Sequence, residues 1–160
     1  MPNWCDNSIQ IDGPPDDMRK FLDKVQDPKV VEVGDLQHEE YQIAKNIVPM
    51  PEDCENIREW CDDNWGTKWG DCDTMLWQDG DTRIYGQYNT AWGPLSVGFW
   101  ETVSAEFKSL RIAIGYREEG MQFEGAYSFY GGECYYEKSQ DSHILYKEAK
   151  EALDKIKVLY

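Results

Sequence analysis

The sequence predicts one α+β domain, an antiparallel sheet with helices packed on one face. Three observations carry that expectation. Short runs alternate apolar and polar at period two, and stretches of helical period separate them. Two of the strand-like runs are joined through an Asp-Gly step, a hairpin signal. A chain of 160 residues suits a single domain, here 1–160, long enough for a real core.

The elements follow in chain order. Residues 5–11, CDNSIQI, set Cys5, Asn7, Ile9 and Ile11 on one side of a strand. Gly13-Pro14-Pro15 ends it. Met18, Phe21, Leu22 and Val25 then form a helical stripe, with Asp16 and Asp17 in the first turn, where the helix dipole favours negative charge. Residues 29–73 read as an insertion after this helix. It holds a short strand around Val30, Val31 and Val33, an acidic helix from about Glu52 to Asp63, and a loop with two Trp-Gly steps. TMLWQ and TRIYGQYNT flank Asp79-Gly80-Asp81 as a hairpin over 74–90. Ser96 caps a helix carrying Phe99, Trp100, Val103 and Phe107. Strands at 110–116 and 121–129 meet at the turn Glu118-Glu119-Gly120. An extra C-terminal helix, 141–160, starts at Asp141 or Ser142 and repeats Leu145, Ala149, Ala152, Ile156 and Leu159. In outline this is β-α-β-β-α-β, and whether the 74–90 hairpin supplies one core strand or two sets the count.

Charge narrows the function. The net charge is −15, which opposes direct binding to nucleic acid or to an anionic membrane and suits a basic partner. Residues 51–81 hold ten acids against two bases, Arg58 and Lys68, so more than half of the excess sits in 31 residues. No basic start with an apolar run opens the chain, and no stretch approaches the ~20 apolar residues of a membrane span. Five cysteines, an odd number, point to free thiols in a reducing cytoplasm.

Several motifs resemble one family. MPNWCDN, NIVPMPED, NWGTKWGDCD, YNTAWGP, YREEG and FEG, in that order from residue 1 to about 132, are similar to the YubB-type ferredoxin-like family carried by phages and plasmids. The resemblance implies a ferredoxin-like α+β fold and a mobile-element origin. It implies no reaction and carries no catalytic residues across.

The tryptophans admit two readings. Trp65, Trp69 and Trp92 fit an architectural plug, each burying a large ring worth about 2–3 kcal/mol, with Gly66, Gly70 and Gly93 letting the backbone turn beside them. Alternatively, Trp65, Trp69, Trp92 and Trp100 line a pocket for a small molecule or nucleotide.

Metal and catalytic chemistry find little support. Cys54 and Cys61 share a helical stripe but lie about 10.5 Å apart along it, too far for one zinc, and adding Cys72, His38 or His143 yields no ligand set. Asp71, Asp73, Asp79 and Asp81 do not follow a calcium-loop spacing. No nucleophile–base pair or phosphate loop stands out, and Asp62-Asp63 and Glu118-Glu119 read as solvated pairs. Tyr85, Tyr130, Tyr135 and Tyr136 lack the basic companions that RNA stacking surfaces carry. The expectation is a non-enzymatic acidic protein with no metal or cofactor. It would imitate phosphates with Glu52, Asp53, Glu55, Glu59, Asp62, Asp63, Asp71 and Asp73 and occupy a basic host nucleic-acid-handling or defence protein. Self-association through the C-terminal helix stripe is a further expectation.

Overall fold

The computed structural model describes residues 2–33, 36–140 and 145–156. Eight strands form one antiparallel sheet: β1 (Trp4–Asp12), β2 (Gln26–Val33), β3 (Leu36–Tyr41), β4 (Cys72–Gln78), β5 (Arg83–Ala91), β6 (Arg111–Glu118), β7 (Phe123–Tyr130) and β8 (Glu133–Gln140). Among the described residues five helices accompany them: α1 (Pro15–Val25), α2 (Ile43–Ile47), α3 (Ile57–Asn64), α4 (Val97–Glu106) and α5 (Leu145–Asp154).

The sheet order is β2-β3-β4-β5-β1-β6-β7-β8. Six strands, β4 to β8 in that order, pair over long registers, whereas β3 meets β4 at the single pair Tyr41↔Thr74. The β2–β3 hairpin is therefore an annex, and all but its first three residues fall inside the expected insertion 29–73. Because neighbours are antiparallel, β4 runs parallel to β1 with β5 between them, and β5 runs parallel to β6 with β1 between them. Each such pair is bridged by a helical crossover, through α1 and the insertion in one case and through α4 in the other. Both arms of the 72–91 hairpin are thus sheet strands, which answers the count left open by the sequence.

Alternation in the strands sorts two layers. Ile9, Ile11, Ile84, Ile112, Ile114, Tyr127 and Phe129 meet Met18, Phe21 and Val25 of α1 and Phe99, Trp100 and Val103 of α4 in the main core. Ser96 caps α4 by accepting from the Phe99 amide at 3.1 Å. The C-terminal helix departs from the one-face expectation. Leu145 and Ala149 pack on Ala126, whose side chain points away from its neighbour Tyr127. A Cβ on Gly115 would lie 3.1 Å from the Tyr146 ring, which shows how closely α5 rides on the opposite face. Its buried stripe is Leu145, Ala149 and Leu153, all spent within this chain; Asp141, Ser142 and Leu159 lie outside the described residues.

One boundary also moved. The acidic helix begins at Ile57, not at Glu52, because Asn56 supplies its cap, accepting from the Glu59 amide at 3.2 Å and donating to the Glu59 carboxylate at 2.9 Å. Strand β8 was not anticipated. Its hairpin turns on Gly131-Gly132, both with positive φ, a two-residue turn the sequence displays openly.

Candidate functional site

Motifs far apart in the chain converge at one end of the sheet. Trp4 opposes Ala91 across β1 and β5, the Trp92 amide donates to the Asn3 carbonyl at 2.8 Å, and the Ser96 amide donates to the Trp65 carbonyl at 2.9 Å. The YREEG turn joins them: Glu118 opposes Cys5, and a Cβ on Gly120 would strike the Asn3 side chain at 2.5 Å. The buried Glu118 carboxylate accepts from the Gly120 and Met121 amides at 2.6 and 2.7 Å, so it shapes a turn.

The four tryptophans of the expected pocket do not share one pocket. Trp65 is 2% exposed and Trp100 fully buried, both within the core, while Trp69 and Trp92 are 39% and 47% exposed. Trp65 acts as the plug: its ring meets Trp60 edge-on at 4.9 Å and its Nε1 donates to the Val48 carbonyl at 2.9 Å. Trp69 and Trp92 are too exposed to be plugs, and they share no pocket with the buried Trp65 and Trp100. They form a surface ridge with Trp4, itself 42% exposed, with ring centroids 6.0 Å apart for Trp4–Trp69 and 6.5 Å for Trp69–Trp92. Lys68 Nζ lies 4.8 Å from the Trp69 ring centre and 5.8 Å from that of Trp92, showing that the ridge accepts a cation. Trp92 itself holds φ 64°, a conformation side chains rarely adopt. That strain stands where Gly93 was expected to relieve it.

The acidic helix reaches this ridge through Asp62, which lines a groove with Trp92. The groove measures about 310 Å³ and is lined by Arg58, Asp62, Gly66, Thr67, Lys68 and Trp92 among others. Thr67 is 3% exposed, and its Oγ1 has no hydrogen-bond partner among the described residues. Glu59, Asp62 and Asp63 share a helical stripe of α3, and Glu52, Asp53 and Glu55 lie in the turn leading into it; all six are exposed. Asp73 is exposed as well, with φ 52°.

Asp71 must be removed from the acidic face. It is 5% exposed, and its carboxylate accepts from the Ile43 and Ala44 amides at 2.9 and 2.7 Å and from the Thr74 hydroxyl. It satisfies the open amides at the start of α2 and ties the insertion to β4. A buried acid in an acidic run cannot be told from an exposed one by sequence. Trp4 was missed for a different reason: as the first residue of a strand it offers no pattern, and only its neighbours in space reveal its role.

The thiols are quiet. Burial pushes Cys5 up to about 12 and raises Cys61, Cys72 and Cys134. No described group of three or more His, Cys, Asp or Glu side chains is placed to hold a metal ion. No helix among the described residues is long and apolar enough to cross a membrane.

No family model matches the chain, and no curated protein matches it. Among solved structures, a crystal structure of protein api92 from Yersinia pseudotuberculosis, assigned to the family DUF1281, aligns at a TM-score of 0.63 and 10% identity. The alignment covers 89% of this chain and 99% of that one. What the two chains share is their α+β fold.

Proposed function

We propose that this protein is a non-enzymatic accessory protein of a mobile element, phage or plasmid, that works in the host cytoplasm. It docks on a basic host protein that handles nucleic acid or serves in defence, and blocks the surface where that protein would hold phosphates. One observation carries the reading: the exposed Trp4–Trp69–Trp92 ridge and the exposed acidic helix α3 share a groove, lined by Trp92 on one side and Asp62 on the other. Clustered aromatics anchor interfaces, and clustered carboxylates speed the encounter with a basic surface and select for it. Lysine and arginine side chains of such a partner can pair with the acids and stack on the rings. The YubB-type, ferredoxin-like assignment belongs to the same proposal. It is supported by the β4-β5-β1-β6 order, in which the two crossovers each span an intervening strand.

The test compares capture of host proteins by the wild-type chain and two variants, at low and moderate salt. One variant neutralises four acids (Asp53→Asn, Glu59→Gln, Asp62→Asn, Asp63→Asn). The other is Trp69→Ala with Trp92→Ala. The expected result is a stoichiometric partner that duplex DNA or RNA displaces. The acid variant loses most of the salt dependence, and the ridge variant loses affinity at both salts. A partner retained unchanged by the acid variant would sink the decoy mechanism.

A further inference from the structure

We propose that the cleft between α5 and the far face of the sheet binds a small organic phosphate, with Arg111 and Lys150 receiving the phosphate group. The cleft measures about 870 Å³, within the range of small-molecule sites. It does not draw on the acidic surface, and its charge runs against that of the chain. Its lining carries four cations (Arg83, Arg111, Lys147, Lys150) against three carboxylates (Asp12, Glu151, Asp154), while the whole protein stands at −15.

Cross-strand register builds the floor. Asp12 of β1 lies opposite Arg83 of β5 on one side and Arg111 of β6 on the other, and its carboxylate pairs with Arg83. Its Oδ1 accepts from Arg83 Nε at 2.6 Å and its Oδ2 from Gln10 Nε2 at 2.8 Å. Arg111 is left with one neutral acceptor, the Ile156 carbonyl at 3.2 Å from Nη2. Its Nε is buried with no hydrogen-bond partner among the described residues. A guanidinium offers five donors in a rigid fork, and leaving a buried one unmatched is costly.

Helix α5 supplies the rest. Lys147 Nζ lies 3.8 Å from Glu151, which occupies that acid. Lys150 rests 4.7 Å from the Tyr146 ring centre, and no carboxylate pairs with it among the described residues. With Asp12 and Glu151 paired to Arg83 and Lys147, Arg111 and Lys150 face the one remaining carboxylate of the lining, Asp154, and neither is paired with a carboxylate among the described residues, which leaves room for an anion brought from outside. A phosphate fits the arginine fork through two parallel hydrogen bonds and accepts the lysine charge on a third oxygen. Tyr85, Ala113, Leu153 and Pro14 give the ligand's body an apolar wall.

Titration of the full chain with AMP, UMP and glucose 6-phosphate, followed by NMR shifts and thermal melting, tests the proposal. At least one probe is expected to bind, shifting signals of Ala113 and Leu153 and raising the melting temperature. Lys150→Gln should weaken that binding tenfold or more, and Arg111→Met at least as much. Lys20→Gln, which lies outside the cleft, should leave it unchanged. Arg111 also holds Ile156, so its own variant can lose stability, and the half-exposed Lys150 keeps the test decisive. Absence of binding by all three probes at millimolar concentration, or equal affinity in wild type and Lys150→Gln, overturns the proposal.

Discussion

The two Trp-Gly steps of NWGTKWG, four residues apart, end in opposite environments. Trp65 is sealed in the core against Trp60, whereas Trp69 lies on the surface between Trp4 and Trp92. Their glycines behave alike. Gly66 and Gly70 hold φ of 77° and 69°, and a Cβ would meet Ser96 at 2.7 Å or Ala44 at 2.8 Å. The dipeptide therefore encodes a backbone bend, and the bend alone does not decide where its ring goes. The ring follows whatever the neighbouring segments offer: a waiting carbonyl at Val48 for Trp65, two other exposed rings for Trp69.

Truncating each ring should split the pair most widely. Trp65→Ala is expected to cost about 3–5 kcal/mol, through the cavity it leaves and the unsatisfied Val48 carbonyl. Trp69→Ala should cost less than about 1 kcal/mol, in line with exposed positions. Urea denaturation of both variants measures the gap, and equal losses would mean that ridge and plug form one structural unit.

Alanine at the glycines sharpens the comparison from the backbone side. Gly66→Ala and Gly70→Ala should each lose about 1–2 kcal/mol or more, from positive φ and from the close Cβ contacts. Gly93→Ala should stay within about 0.5 kcal/mol, since a Cβ there meets nothing within 4 Å. Thermal melts of the three would show whether the bend matters equally under a buried and an exposed ring.

Thiol reactivity gives the smallest effect. Cys61, one turn before Trp65, has its pKa raised chiefly by burial and secondarily by Asp62. A raised thiol pKa leaves less thiolate at any pH below it, so alkylation at pH 8–9 should be slower than for an open cysteine and should speed up as pH rises. Cys5, pushed up to about 12, should react more slowly still. Mass spectrometry of alkylated native protein reads both sites. Trp65→Ala should speed the reaction at Cys61, and Trp69→Ala should leave it unchanged.

Much of the fold was legible because period and punctuation are local. The alternation of CDNSIQI, the Met18–Phe21–Val25 stripe, the Asp79-Gly80 turn and the Ser96 cap each specify an element within a few residues, and each is found. Strand β8 escaped because its tyrosines and charges carry no clean alternation, although Gly131-Gly132 marked its turn. Exposure of Glu52, Asp53, Glu55, Glu59, Asp62 and Asp63 agrees with their charge, since an isolated carboxylate is costly to bury. Asp71 breaks that rule because two backbone amides and a hydroxyl replace its water.

By itself the sequence determined the α+β alternation, the hairpins, most of the core stripes and a strongly acidic segment. These depend on chemistry repeated at short range. Only the tertiary structure decided which tryptophan is plug and which is ridge, that α5 lies across the second face, and that Arg83, Asp12 and Arg111 share one row. Those facts depend on strand register and on contacts between residues up to some hundred positions apart, which no local period records.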